Sequence, residues 1–233
     1  MGAKIERWFR APYGMPNGVQ ATGDGIWVVD QVTDRAALLD VSDADEYGML
    51  RLRTEVPTES SNTSGLAWGG GSLWLAANGS AEKWRTPRDT DADSGEILRV
   101  DPATGITEGR WTLPGGGGTH GLEYDAYESE TLWLTTLKDQ TLTQVRISDW
   151  SIQRVFPLPY GRAHGVVRVE NGVWIVHTSD RVIVKLDPLT GDELDRIQVP
   201  PSDPEPHGLS GYDGGFLYCD AASGWVARIR ADA

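Results

Sequence analysis

Short apolar runs alternate with polar turns that contain glycine along the whole chain, and no apolar run is long enough to span a membrane. One unit is composed of apolar segments at 165–170, 173–177, 182–187 and 194–199, and Asn171-Gly172 joins the first two. Asn-Gly between apolar runs is a typical tight-hairpin signal, because both residues tolerate positive φ. The pattern therefore predicts an all-β unit of four antiparallel strands.

One motif marks the start of each such unit. It consists of His, Asn or Ser followed by Gly and an apolar residue, and an apolar–Trp–apolar triplet follows after a turn. The copies begin at Asn17, Ser64, His120, His164 and His207, and the last copy has Leu217 in place of Trp. A period of roughly 45 residues built from short strands and glycine turns is typical of β-propeller blades. We therefore predict one domain over residues 1–233, an all-β, five-bladed β-propeller, with a β-sandwich of chance spacing as the alternative.

The two ends of the chain are predicted to share one blade. The last unit runs out after a strand at 225–230, so it lacks an outer strand, whereas the chain begins with an unassigned strand at 5–10. Pairing these two segments would complete the last blade and remove an open strand edge. We expect this N-terminal strand to close the ring.

Composition narrows the classes of partner. With 34 acidic and 21 basic residues the net charge is −13, and no cluster of Lys and Arg occurs, so neither nucleic acid nor an anionic membrane is an expected partner. Cys219 is the single cysteine, and the N-terminal residues contain no apolar signal segment. We expect a cytoplasmic protein that acts on a small molecule; the sequence does not specify its oligomeric state.

All four histidines occupy equivalent positions of the repeat. In a propeller, the residue before the innermost strand and the residue ending the second strand meet at one mouth of the central channel. His120, His164 and His207 hold the first position and His177 the second. Imidazole beside a carboxylate can exchange protons near neutral pH, so His207, His164 and His177 are candidate catalytic groups. The alternative is that duplication of one blade left structural histidines.

The same mouth is predicted to hold a divalent cation, with Mg, Zn, Mn or Fe as candidates. Three imidazoles and nearby carboxylates offer nitrogen and oxygen ligands, for which the candidate residues are His120, His164, His207, Glu205 and Asp220. Substrate contacts are expected from the neighbouring polar residues Asn17, Asp30, Tyr160 and Arg162.

An insertion lengthens the second unit. It spans residues 80–96 and contains Trp84, Arg85, Arg88 and an acidic run at 89–93. Long connections are often functional, but a solvated surface loop is the favoured interpretation.

The blade formula resembles that of the streptogramin B lyase family and its relatives among NHL-type and gluconolactonase-type propellers. Glu205-Pro206-His207-Gly208, followed by Asp220, is similar to the Glu-x-His of that family with its second carboxylate at the end of the next strand. The resemblance implies that Glu205 and Asp220 support a magnesium ion and that His207 transfers a proton in an elimination reaction.

A second resemblance leads to another activity. Thr119-His120-Gly121-Leu122 is similar to the Thr-Gln-Gly-Leu blade start of plant-type glutaminyl cyclases, which are five-bladed propellers.

Our expectation is a metal-dependent lyase, or an enzyme that opens a lactone or ester, with its site at the channel mouth. The alternatives are a glutaminyl-cyclase-like acyltransferase and a non-catalytic propeller that binds a ligand or a protein.

Overall fold

The computed structural model describes residues 3–41 and 44–231. These residues form five four-stranded antiparallel sheets, arranged as the blades of a five-bladed β-propeller. Within the described residues, no helix is long and apolar enough to cross a bilayer. The predicted fold class is confirmed.

The chain starts with β1 (Ala3–Arg10) and then builds the blades in order. Blade 1 contains β2 (Pro16–Thr22), β3 (Gly25–Asp30), β4 (Arg35–Leu39) and β5 (Leu52–Pro57). Blade 2 contains β6 (Thr63–Gly69), β7 (Ser72–Ala77), β8 (Glu96–Val100) and β9 (Thr107–Thr112). Blade 3 contains β10 (Leu122–Tyr124), β11 (Thr131–Thr136), β12 (Thr141–Arg146) and β13 (Ile152–Pro157). Blade 4 contains β14 (Ala163–Val169), β15 (Gly172–His177), β16 (Val182–Leu186) and β17 (Glu193–Gln198), and blade 5 contains β18 (Leu209–Tyr212), β19 (Gly215–Cys219) and β20 (Trp225–Ala231).

The ring closes as predicted. β1 is the outer strand of blade 5 and pairs antiparallel with β20, from Ala3 opposite Ala231 to Arg10 opposite Trp225. Phe9 on β1 is fully buried in a cluster shared by blades 5 and 1. The N-terminal strand therefore contributes both backbone pairing and core packing to the last blade.

The first hairpin of blade 4 differs by one residue from its prediction. Val169 pairs with Gly172, so the two loop residues are Glu170 and Asn171, and neither has a positive φ. Gly172 is already the first residue of β15. Blade 2 does use the expected conformation, because Gly70 and Gly71 both have positive φ.

Apolar side chains fill the spaces between neighbouring blades. The second strand of each blade is its most buried, and β3, β7, β11 and β15 are buried along their whole length. Trp27 packs with Leu73 of the next blade, and Trp74 packs with Leu132. The repeated tryptophans are thus wedges that join each blade to the following one.

The glycine of the repeated motif is explained by close approach around the axis. Gly18, Gly65, Gly121, Gly165 and Gly208 follow the first motif residue in the five blades. A Cβ on Gly121 would lie 1.9 Å from the carbonyl oxygen of His164, and one on Gly208 would lie 2.8 Å from Cα of Gly18. Adjacent innermost strands therefore contact each other backbone to backbone, and a larger residue would force the blades apart.

Candidate functional site at the mouth of the ring

Backbone bulges place the first motif residue of several blades at the mouth. In blade 1, Pro16 pairs with Asp30 and Gly18 with Val29, so Asn17 is an extra residue on its strand. Ser64 is an extra residue in the same way, and the pairing of β14 shifts between Ala163 and Val166, around His164. A bulge interrupts the alternation of side chains and redirects one of them. At each bulge, the redirected side chain therefore belongs to the mouth and not to the regular alternation of the strand.

A cavity of about 450 Å³ occupies this mouth. Its polar and aromatic lining comes from all five blades and from the insertion: Asn17, Gln31, Asn62, Asn78, Lys83, Trp84, His120, Arg162, His164, Glu205 and His207. We call His120, His164 and His207 the histidine half of the mouth. We call Asn17, Gln31 and Asn62, together with Ser64 next to Gln31, the amide half.

His120 and His164 form a directly hydrogen-bonded pair. Nδ1 of His164 lies 2.9 Å from the carbonyl oxygen of Arg162, which can only accept, so this nitrogen carries the proton. Nε2 of neutral His164 is then an acceptor, and it receives a 2.8 Å hydrogen bond from Nδ1 of His120. Nε2 of His120 is left with a free lone pair, on a ring that lines the cavity.

The hydroxyl of Thr178 stabilises the hydrogen-bonded pair of His120 and His164. It donates to the carbonyl oxygen of Pro206 at 2.8 Å and lies 2.9 Å from Nδ1 of His164. Since a hydroxyl has a single proton, its contact with His164 must be that of an acceptor. Two acceptors therefore hold the His164 tautomer, and His164 in turn orients His120.

The histidine half is neutral at pH 7. Burial, with smaller contributions from Arg162 and His207, lowers the pKa of His120 to about 4. Burial also lowers the pKa of His164 and of His207 below the usual range. The His207 ring stands edge-on to His164, with 4.9 Å between the ring centroids, and its Nδ1 lies 3.2 Å from the carbonyl oxygen of Glu205.

The amide half is a chain of hydrogen bonds between side chains. Asn17 donates to Oε1 of Gln31 at 3.0 Å, and Gln31 donates to Oδ1 of Asn62 at 2.7 Å. The same Oδ1 accepts from Nε1 of Trp84 at 3.0 Å. The amide half is therefore tied to the insertion through one shared oxygen.

The insertion is anchored rather than solvated, contrary to the favoured interpretation of its sequence. Asp34 is fully buried and its carboxylate accepts hydrogen bonds from Arg85, at 2.7 Å, and from the backbone and hydroxyl of Thr63. Arg88 lies 3.3 Å from the same carboxylate, and Asp91 bonds to both arginines. This ion cluster holds the segment that carries Lys83 and Trp84 against the mouth.

Two cations line the cavity without a carboxylate partner among the described residues. Arg162 has a φ of +45°, which is uncommon for a residue with a long side chain. Lys83 places its ammonium 4.6 Å from the ring centroid of Trp84. The third charged group of the lining, Glu205, lies 4.0 Å from Arg181, outside the lining.

Four of the predicted site residues lie outside the lining of the cavity. His177 is fully buried, with Nδ1 3.3 Å from the carbonyl oxygen of Gly161 and the ring edge against Tyr160. Tyr160 bonds through its hydroxyl to Arg196 and lines a smaller, separate cavity. Asp30 and Asp220 are turn residues: Asp30 accepts from the backbone and hydroxyl of Thr33.

The carboxylate of Asp220 is occupied by its own turn. It accepts from the backbone of Glu205 at 3.0 Å and of Ala222 at 2.8 Å, and from the hydroxyl of Ser223 at 2.6 Å. No group of three or more His, Cys, Asp or Glu residues in the described chain has the geometry to hold a metal ion. In this arrangement Asp220 is committed to its turn, and Nδ1 of His120 and Nε2 of His164 bond to each other, so these groups are not free to bind a cation together with His207 and Glu205.

Sequence reasoning missed Gln31, Asn62, Lys83 and Trp84. Gln31 follows Asp30 and Asn62 lies two residues before Ser64, but neither belongs to the repeated motif itself, so no signal distinguished them. Trp84 did have a signal: it is a tryptophan in an otherwise polar insertion. A large aromatic residue in a loop needs a surface to cover it, and here that surface is the mouth.

No protein-family model matches this sequence, and no curated protein matches it either. Among solved structures, the glutaminyl cyclase of Myxococcus xanthus has a TM-score of 0.68 at 12% identity, with 98% of this chain and 95% of that chain covered. A catalytically inactive virginiamycin B lyase of Staphylococcus aureus with quinupristin has a TM-score of 0.55 at 15% identity, with 93% and 66% covered. The selenomethionine-substituted form of that lyase has a TM-score of 0.57 at 12% identity, with 99% and 100% covered. At these identities the likeness establishes a shared propeller fold.

Proposed function

We propose that this protein is an enzyme that carries out general-base elimination on a small molecule bound at the mouth of the ring. The observation that carries the proposal is the hydrogen bond between Nδ1 of His120 and Nε2 of His164. This hydrogen bond leaves a lone pair on Nε2 of His120 at the cavity. A general base needs such a lone pair to abstract a proton.

The two histidines have different roles in this reaction. Nε2 of His120 takes a proton from the carbon next to a substrate carbonyl, the electrons form the new double bond, and the leaving group departs from the adjacent carbon. The positive charge formed on His120 is shared with His164 through the ring-to-ring hydrogen bond. Thr178 and the Arg162 carbonyl hold His164 ready to accept that bond, so they are positioning groups.

Elimination is favoured over acyl transfer through a covalent intermediate because no activated nucleophile lines the mouth in the described part of the chain. Cys219 is fully buried in the core and burial raises the pKa of its thiol to about 12. We propose that the base acts without a metal ion, because Asp220 and the bonded nitrogens of His120 and His164 are not free to bind one. The virginiamycin B lyases among the similar solved structures support a lyase on this fold.

The test is turnover of quinupristin and of simple β-substituted esters, followed by mass spectrometry in water enriched in oxygen-18. Elimination gives an unsaturated product that carries no solvent oxygen, whereas hydrolysis of the ester incorporates one. We expect the former, with the rate unchanged by a chelator and abolished in His120→Gln. Incorporation of solvent oxygen, or loss of the rate on chelation, would contradict the proposal.

A second candidate is cyclisation of an N-terminal glutamine with release of ammonia. The glutaminyl cyclase superposes over nearly the full length of both chains, and the neutral His120 could accept the proton of the attacking amine. Ammonia release from a Gln-initiated dipeptide measures this activity directly. Release of ammonia without turnover of any ester would favour the cyclase over the lyase.

A further inference from the structure

We propose that the substrate of this site is a small carboxylate, and that Arg162 binds its carboxylate group beside His120. The inference deepens the proposed function and rests on it only for the reaction: the binding it describes requires no turnover. Two observations support it, namely the charges of the lining and the anchoring of Lys83.

The conformation of Arg162 is unfavourable for arginine. Its φ of +45° lies in the left-handed region, which is unfavourable for a residue with a Cβ. Asn62 occupies the equivalent position of blade 2, two residues before Ser64, and has a φ of +56°. Asparagine is one of the residues that tolerate this region best. Arg181 also has a positive φ, of +52°, so the conformation alone does not identify a ligand, but it makes asparagine a conservative replacement for Arg162.

The charges of the lining match a monoanion. Two cations, Arg162 and Lys83, and one carboxylate, Glu205, face the cavity, while the three histidines are neutral at pH 7. The mouth thus has a formal charge of about +1 in a protein whose net charge is −13. Positive charge localised in one cavity of an acidic protein attracts anions to that cavity.

Lys83 is held at this cavity by the interactions that anchor the insertion. The buried cluster of Asp34 with Arg85 and Arg88 fixes the insertion, and Trp84 bonds to Asn62 of the mouth. Lys83 therefore lies on an anchored segment, not on a free loop. A carboxylate between the two cations would receive the forked donors of Arg162 and a point charge from Lys83.

Binding of an anion would also strengthen the base. The positive charge of Arg162 is one of the causes that lower the pKa of His120. A carboxylate paired with Arg162 offsets that charge, so the pKa of His120 rises towards neutrality when substrate is present. A base with a pKa nearer the working pH transfers protons more effectively. Arg162 in this way couples recognition to catalysis.

The experiment measures binding of benzoate, benzamide and inorganic phosphate by calorimetry. Benzoate and benzamide share a shape and differ in charge, and phosphate tests a different anion. Arg162→Asn is the informative variant, since it introduces the residue of the equivalent position in blade 2. Arg7→Asn is the matched control: Arg7 is an exposed arginine on β1 whose guanidinium donates a hydrogen bond to the carbonyl oxygen of Ser202.

We expect benzoate to bind at millimolar concentration and at least about tenfold more tightly than benzamide or phosphate. Arg162→Asn should weaken benzoate by at least about tenfold without lowering the melting temperature, while Arg7→Asn should bind as the parent does. Equal binding of benzamide, tighter binding of phosphate, no binding of benzoate, or an unchanged affinity in Arg162→Asn would each overturn the proposal.

A second arm separates this inference from the proposed reaction. His120→Gln should retain benzoate binding within a few-fold while losing turnover. In the parent, benzoate should raise the pKa of His120 measured by NMR. Intact binding with no elimination activity would contradict only the reaction, whereas turnover of neutral esters without benzoate binding would contradict only the carboxylate assignment.

Discussion

Both halves of the mouth contain the first motif residue of their blades, Asn17 and Ser64 in one half and the three histidines in the other, but their chemistry differs. In the amide half, Asn17, Gln31 and Asn62 bond to one another and, through Asn62, to Trp84. In the histidine half, the bond between His120 and His164 is directional and leaves one lone pair unused at the cavity. The comparison teaches that the fold supplies the positions, whereas the hydrogen-bonding capacity of each side chain decides whether a position is closed or available to a substrate.

The largest effect is expected for His120→Gln. Loss of a general base typically lowers the rate by about 10²–10⁴-fold, and glutamine keeps a polar side chain of similar length. The rate constant kcat measured with a turned-over ester checks this, and the melting temperature should stay close to that of the parent. Ser64→Ala, at the equivalent position of the amide half, is the control and should keep kcat within a few-fold. A comparable loss of kcat in both variants would show that the halves do not differ in function.

The next effect concerns stability and tests what supports the amide half. Asp34→Ala leaves Arg85 and Arg88 without their shared buried carboxylate, which should cost about 3–5 kcal/mol in the free energy of unfolding. Denaturant unfolding measures this cost. Arg35 is the residue after Asp34 and forms an exposed ion pair with Glu55. Arg35→Ala removes that pair and should cost no more than about 1 kcal/mol in the free energy of unfolding. Equal costs would mean that the insertion is not anchored by the cluster.

A smaller effect is expected for Thr178→Val, which tests the orientation of the histidine pair. The variant keeps the volume but removes one of the two acceptors facing Nδ1 of His164. We expect kcat to fall by roughly tenfold, with KM little changed, because Thr178 does not line the cavity. Nitrogen chemical shifts of His164 report the tautomer. A change in KM alone would mean that Thr178 acts on binding instead.

The last effect concerns the pH dependence of stability. In the folded protein the pKa of His120 is about 4, compared with about 6.5 for an exposed histidine. Between these values the unfolded chain binds more protons, so the free energy of unfolding decreases as the pH falls from 6.5 to 4. Melting temperatures measured across this range should decline, and the decline should be shallower in His120→Gln. An identical slope in the two proteins would contradict the burial of a neutral His120.

The sequence was sufficient for the fold because the repeat is redundant. Five glycines, four tryptophans and the paired end segments all follow from one blade pattern, and the strands of blade 4 begin and end within two residues of their predicted bounds. The site was only partly accessible. Asn17 and the three histidines His120, His164 and His207 were found from their equivalent positions, Glu205 as a nearby carboxylate and from the family resemblance, and Arg162 as a neighbouring polar residue; all six line the cavity.

The remaining site residues depended on contacts that no periodicity encodes. His177 and Asp220 hold equivalent positions too, but the backbone groups around them, Gly161 for His177 and Ala222 for Asp220, use their polar atoms. Trp84 and Lys83 reach the mouth through ion pairs between residues about fifty positions apart in the chain. A pattern of positions thus identifies where a side chain lies, whereas its availability depends on long-range partners.

The pairing of β1 with β20 has a consequence for the order of the chain. Because Ala3 lies opposite Ala231, a short linker between them would convert the ring into a covalent circle. Such a circle could be opened at an exposed turn of another blade, and the polypeptide would then start elsewhere with every blade preserved. The contacts of the ring would be kept in such a protein. The linear sequence is therefore only one of several circular permutants able to encode the same mouth.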